Sequence, residues 1–214
     1  VVADGDQVDA FAAATMDEFG AVHLVCNNAG VGGGGQMWTL TTDDWAWVLG
    51  VNLWGVIHGI RAFVPHLVDQ GEGHVVNTAS VAGIAPTPGA TAYAMTKHGV
   101  VGLSTSLRGE GAALGVRVSV VCPGLIDTPL KDSLTYLNLD KQKMLQHPAI
   151  KLHSVEHCAQ VAVRGVERNR IGLSTRAAAI NLKRLLNLGH LAGLGYLGVF
   201  YLVPAFFPIP EKLT

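Results

Sequence analysis

Hydrophobic and polar positions along the chain switch repeatedly between two periods. Val8, Phe11, Ala12, Thr15 and Phe19 recur at helical spacing behind Asp4 and Asp6, two side chains able to cap a helix, and the run stops at Gly20. Residues 22–26 form a short apolar run closed by Asn27-Asn28-Ala29-Gly30, which predicts a buried strand ending in a loop. A glycine-rich stretch follows. Thr42 then offers a cap for a long helix over 43–68, ended by Gly71, and residues 74–78 predict the next strand. The pattern repeats with a helix over 91–114, a stop at Gly115 and a strand over 116–121 that runs into Cys122-Pro123-Gly124. Residues 131–152 turn polar and irregular, and Ser154 caps a last helix that ends near Arg168. Strand and helix alternate throughout, which predicts an α/β fold with a doubly wound parallel sheet covered on both faces. In such a sheet ligands bind beyond the carboxyl ends of the strands.

Composition narrows the partners. The chain has 214 residues, enough for one domain with a sizeable core, and its formal charge of -1 with 14% charged residues leaves no basic field for nucleic acid. Cys26, Cys122 and Cys158 are widely spaced, with no Cys-x-x-Cys pair, so neither a disulfide framework nor a thiolate zinc site is expected. Val1-Val2-Ala3-Asp4 shows no feature of a secretory leader, and a reducing, cytoplasmic setting fits best. One segment departs from the soluble pattern. Residues 185–210, opened by Leu185 and closed by Pro210, hold no acidic or basic side chain. They form an apolar tail (185–214) after the main domain (1–184), long enough for membrane association, while the Gly and Pro content favours a flap over a lipophilic substrate or a partner subunit.

Candidate chemistry follows the strands, as the fold expectation requires. Tyr93 and Lys97 stand one helical turn apart, so both project from one face of the helix predicted there. Lowering a tyrosine pKa by about three units, to serve at neutral pH, takes roughly 4 kcal/mol of preferential phenolate stabilisation. An ammonium about 4 Å away supplies that amount at an effective dielectric near 20. Ser80 ends the preceding strand, where a hydroxyl can donate to a carbonyl or accept from an alcohol.

The order Asn27-Asn28-Ala29-Gly30, Val51-Asn52-Leu53-Trp54-Gly55, Asn77-Thr78-Ala79-Ser80, Tyr93-x-x-x-Lys97 and Pro123-Gly124-x-Ile126-x-Thr128 resembles the short-chain dehydrogenase/reductase family, clearly from Asp4 to Thr128 and more weakly to Arg168. The resemblance implies a Rossmann-like sheet, NAD or NADP as cofactor, and interconversion of an alcohol and a ketone or aldehyde. It implies Tyr93 as the catalytic acid/base, with Lys97 lowering its pKa and holding the nicotinamide ribose. Ser80 would bind the reacting oxygen, and Asn52 would keep a water in the proton relay. The backbone of Asn28, Ala29 and Gly30 would lie near the cofactor, with Pro123, Gly124, Ile126 and Thr128 at its nicotinamide end. A homodimer or homotetramer is implied, paired through the helices that carry Asn52 and Tyr93.

Two features cut across that reading. Gly30-Val31-Gly32-Gly33-Gly34-Gly35 matches Gly-x-Gly-x-x-Gly, yet residues 36–41 intervene before the next helix, so no helix N-terminus would meet a pyrophosphate; a mobile loop beside the substrate is expected instead. The family's own phosphate loop and first strands have no counterpart in 1–214, and the alternative to an enzyme is a non-catalytic remnant that acts through oligomerisation. His153, His157 and Cys158 lack a further paired motif and are read as structural rather than metal ligands. Cys26 and Cys122 are expected as small buried hydrophobes. Trp38, Trp45, Trp47 and Trp54 are expected in core or subunit packing. Serine acylases and zinc hydrolases lack their signatures here.

Overall fold

The computed structural model describes residues 1–128, Leu130 and 153–167. The apolar tail and the irregular stretch 131–152 lie outside the described residues, and with them the expectations placed there. The elements run α1 (Gly5–Phe19), β1 (Leu24–Asn27), α2 (Thr42–Leu49), a π-helical turn (Gly50–Trp54), α3 (Gly55–Gln70), β2 (Gly73–Thr78), α4 (Thr91–Gly111), β3 (Val116–Val121) and α5 (Val155–Glu167). The three strands form a parallel sheet in the order β1-β2-β3. Val25 pairs with Val75 and Val75 with Val118, so one row of valines crosses the sheet.

That row faces the helices. Val25, Val75, Val116 and Val118 pack with Ala12 of α1 and with Phe63 and Leu67 of α3. Further toward the carboxyl ends, Ala79, Val120 and Cys122 pack with Val56 of α3 and Val100 of α4. Because successive strand residues point to opposite faces, burial of both His74 and Val75 in β2 means that this strand is covered on both sides. On the face away from Val75, His74 Nε2 lies 2.9 Å from Ser119 Oγ, while Nδ1 has no partner among the described residues. β1 differs. Its Leu24 is 52% exposed and its Cys26 is exposed, which corrects the expectation of a buried Cys26; both point to the face of β1 that the described residues leave open.

Local chemistry shifts two predicted boundaries. The helix cap is Thr41 rather than Thr42, because Asp44 stands three residues on and completes a capping box: the Thr41 amide donates to Asp44 Oδ2 at 2.8 Å and the Asp44 amide to Thr41 Oγ1 at 3.2 Å. Thr42 has Trp45 at that position and no such partner. The long predicted helix does run on to Gln70, but it is broken in phase by the π turn at Gly50–Trp54, where the Gly55 amide reaches back five residues to Gly50. This run, Thr42–Gln70, is apolar and long enough to cross a membrane. Its Val56, Phe63 and Leu67 instead lie against the sheet.

At the opposite end from the predicted site, α3 and the 3-10 turn that follows α4 (Ala112–Leu114) finish on left-handed glycines that touch. Gly71 has φ 73 and Gly115 φ 78. A Cβ on Gly115 would stand 1.8 Å from the Gly71 carbonyl oxygen. Trp38 is 77% exposed and Trp47 and Trp54 are exposed by about half, so these three are not core, while Trp45 is half-buried; the positions of α3 that meet the sheet are filled by Val56, Phe63 and Leu67.

Candidate active site

β2 and β3 deliver the site at their carboxyl ends. Beyond β2, the Ala79 amide donates to the Val121 carbonyl and the Val81 amide to the Pro123 carbonyl, both at 2.8 Å, so the ladder continues past the strand and fixes Ser80 between those bonds. Ser80 has extended backbone (φ -169, ψ 164) and caps the short turn Val81–Gly83, its Oγ accepting from the Ala82 amide at 3.2 Å. A Cβ on Gly83 would lie 2.6 Å from the Lys97 carbonyl oxygen, so this turn sits directly on α4. Only glycine permits that approach, and it sets how near Ser80 stands to the helix carrying Tyr93.

On α4, Tyr93 and Lys97 share a face as the spacing predicts. Burial pushes the Tyr93 phenol above its ordinary value of 10.0, and a hydrogen bond with the Ser80 side chain opposes the rise. Lys97 is buried, 3% exposed; its Nζ donates to the Thr78 carbonyl at 2.9 Å and stands 5.6 Å from the centre of the Tyr93 ring. Burial pushes Lys97 down from 10.5 to about 8. Cys122 beside it is pushed up to about 11 by burial, so at neutral pH it is a thiol and provides no counter-charge. The ammonium is drawn to the Thr78 carbonyl, and loss of hydration dominates at the phenol.

Asn52 is wholly buried in the π turn, and both hydrogens of its side-chain amide are used: Oδ1 accepts from the Val31 amide at 2.8 Å, and Nδ2 donates to the Val31 carbonyl at 2.9 Å and to Thr96 Oγ1 at 3.3 Å. Oδ1 keeps a second lone pair. The same bonds anchor the glycine-rich loop at two points. Val31 is held by two bonds to Asn52, and the Gly35 amide donates to the Gly89 carbonyl at 2.7 Å, with Gly35 bridging Ala90. No helix follows that loop directly, in line with rejecting it as a phosphate site; a short turn over Met37–Thr39 precedes α2.

The remaining expected residues divide. Gly30 joins the centre, since a Cβ there would be 3.5 Å from both Lys97 Nζ and Asn52 Oδ1. Asn28 bonds sideways, its Oδ1 accepting from Thr78 Oγ1 at 3.0 Å, and with Ala29 it lines a groove of about 380 Å³ along the open side of β1. That groove is walled by Val8, Phe11, Leu24 and Phe63 and does not reach Ser80, Tyr93 or Lys97. Pro123 is tied to Val81, whereas Ile126 bridges to His153 and the Thr128 amide turns back to the Ile126 carbonyl. His153 and His157 stack with ring centres 5.2 Å apart. Thr78 and Thr96 are the site residues that motif reading missed. Helical periodicity was the available signal for Thr96, which lies three residues after Tyr93 and next to Lys97.

A family model described as short chain dehydrogenase matches residues 1–137. The chain is 38% identical over 166 residues to the 2-(R)-hydroxypropyl-CoM dehydrogenase of Xanthobacter autotrophicus, an alignment that takes in 75% of this chain and 65% of that protein. Among solved structures it resembles a short chain dehydrogenase/reductase from Burkholderia phymatum in complex with NAD (TM-score 0.74, 32% identity, 88% of this chain and 74% of that one). It also resembles a gluconate 5-dehydrogenase from Burkholderia cenocepacia in complex with NADP and tartrate (TM-score 0.68, 27% identity, 76% and 64%).

Proposed function

The chain belongs to the short chain dehydrogenase family, and from that premise we propose that it interconverts an alcohol and a ketone or aldehyde with NAD or NADP. The observation that carries this reading is the convergence of the Ser80 hydroxyl, the Tyr93 phenol and the Lys97 ammonium at the carboxyl ends of β2 and β3. In the reductive direction the substrate carbonyl oxygen accepts hydrogen bonds from Ser80 and Tyr93, which polarise it, and the Tyr93 phenol delivers a proton to that oxygen as it becomes an alkoxide. In the oxidative direction the phenolate takes the alcohol proton. Burial holds the Tyr93 phenol above its ordinary value, which favours its protonated, donor form. Lys97, still cationic below about pH 8, is the charge nearest to the phenolate that proton transfer leaves behind.

The residues present fit the nicotinamide end of such a cofactor. Gly30 leaves open the space that a side chain would fill beside Lys97, and Lys97 spends one of its three hydrogens on Thr78. Lys97 and the backbone from Asn28 to Gly30 would hold it, with Pro123, Gly124, Ile126 and Thr128 beyond; when bound, the nicotinamide supplies or accepts the hydride. No Thr-Gly-x-x-x-Gly-x-Gly segment occurs within 1–214. A fluorescence titration of the chain with NADH and NADPH tests the proposal. Saturable micromolar binding followed by turnover of a carbonyl substrate supports the oxidoreductase, and no binding by folded chain points to a fragment or to the oligomerising remnant.

We take the substrate to be a small lipophilic molecule, the assembly to be a homodimer or homotetramer, and the setting to be cytoplasmic. The composition of residues 185–210 supports two roles for that segment, a flap over the substrate or a membrane-associated tail, and flotation with lipid vesicles separates them.

A further inference from the structure

A chain of hydrogen bonds beneath the catalytic pair is not accounted for by the proton chemistry above. It begins at the Val31 amide, which donates to Asn52 Oδ1. Asn52 Nδ2 gives one hydrogen to the Val31 carbonyl and the other to Thr96 Oγ1, and the Thr96 hydroxyl donates its own hydrogen to the Tyr93 carbonyl at 2.7 Å. Asn52 and Thr96 are both wholly excluded from solvent. No water can replace a partner lost there, so each bond depends on its neighbour.

The members come from three places far apart in sequence: the loop after β1, the π turn, and the first turns of α4. Thr96 is the only one of them whose side chain touches both the π turn and the turn of α4 that bears Tyr93. Its hydroxyl has one hydrogen, spent on Tyr93, and a lone pair, spent on Asn52, so it reads the position of both at once. Gly30, one residue before Val31, borders Lys97 Nζ and Asn52 Oδ1, so a shift of this loop moves the wall beside the lysine.

We infer that Thr96 is a positioning residue: its hydroxyl locks the Gly30–Val31 loop, through Asn52, to the helical turn that presents Tyr93 and Lys97. The inference rests on the oxidoreductase reading for its catalytic consequence but not for the coupling itself. Two substitutions separate shape from bonding. Thr96→Val keeps the branched shape without the hydroxyl, and Thr96→Ser keeps the hydroxyl without the methyl.

Amide hydrogen exchange in the full chain, without cofactor, reads the lock directly. Exchange at Val31 is expected to rise about tenfold in Thr96→Val and to stay at the wild-type rate in Thr96→Ser, while exchange at Val76 in the core of β2 is unchanged in both. With cofactor and a carbonyl substrate, kcat is expected to fall about tenfold in Thr96→Val with KM within about twofold of wild type, and Thr96→Ser is expected to restore kcat. Unchanged exchange at Val31 overturns the inference, as does an equal rise at Val31 and Val76, which marks general loosening. Should Thr96→Val fail to fold, Thr96→Ala serves in the same comparison against Thr96→Ser. A wild-type chain that turns over no carbonyl compound defeats the oxidoreductase reading alone, and the exchange data then decide the coupling.

Discussion

The two ends of the sheet are made from different materials. At the carboxyl ends, buried polar groups are concentrated: Ser80, Lys97, Asn52 and Thr96 are all withdrawn from solvent, and several hold one another through single bonds. At the amino ends, the helix termini close on backbone alone, with Gly71 against Gly115, and the buried His74 and Ser119 meet between two neighbouring strands through His74 Nε2, its Nδ1 having no partner among the described residues. The first arrangement leaves a phenol and a hydroxyl available to a substrate, and the second leaves nothing to react. Burying polar groups is costly at either end, and only at the carboxyl ends is that cost tied to chemistry.

Mutations sharpen the contrast, beginning with the largest effect. Tyr93→Phe is expected to lower turnover by at least about a hundredfold with the fold intact, read by steady-state kinetics beside circular dichroism; near-normal activity in a folded variant ends the assignment. Lys97 should reveal itself through pH. Its pKa is pushed from 10.5 to about 8, so between those values the unfolded chain holds a proton that the folded chain has released, and the contribution of this group to stability rises with pH across the window. The rise amounts to on the order of 3 kcal/mol, and Lys97→Met is expected to flatten it in denaturant melts taken below 8 and above 10.5.

At the other end the effects belong to stability alone. Gly115→Ala forces a Cβ against the Gly71 carbonyl at a positive φ and is expected to cost roughly 2 to 3 kcal/mol, with kcat unchanged in the fraction that folds. Ser119→Ala strands the His74 ring and is expected to cost about 1 kcal/mol, measured as a lowered denaturation midpoint. A large loss of kcat in either variant at temperatures where it is folded would erase the division between the two ends.

Much of the site was legible because its signals are local. Tyr93 and Lys97 are one turn apart, Ser80 follows a strand, and β3 occupies the predicted residues, since a run of β-branched positions between Gly115 and Pro123 admits little else. The misses are long-range or depend on neighbours. The exposure of Cys26 depends on which strand lies at the edge of the described sheet, a property of topology rather than of its own segment. The bonding of the Asn52 amide depends on partners 21 and 44 residues away. The raised Tyr93 pKa reflects burial that spacing cannot show, and the π turn is a phase shift confined to Gly50–Trp54 with no sequence signal of its own.

The π turn also decides what kind of change this helix can absorb over evolutionary time. Val48 on one side of it packs against Gly33, where a Cβ would come within 2.7 Å, while Phe63 and Leu67 on the other side pack on the sheet. The wide turn takes in one residue more than an α turn, so deleting one residue from Gly50–Trp54 would restore regular winding with both halves close to their present rotation. Each half would then keep its seat. Lineages carrying this segment are therefore free to exchange its exposed side chains and to lose one residue at this turn, whereas a one-residue change elsewhere in the helix would turn one half off its packing surface by about 100°.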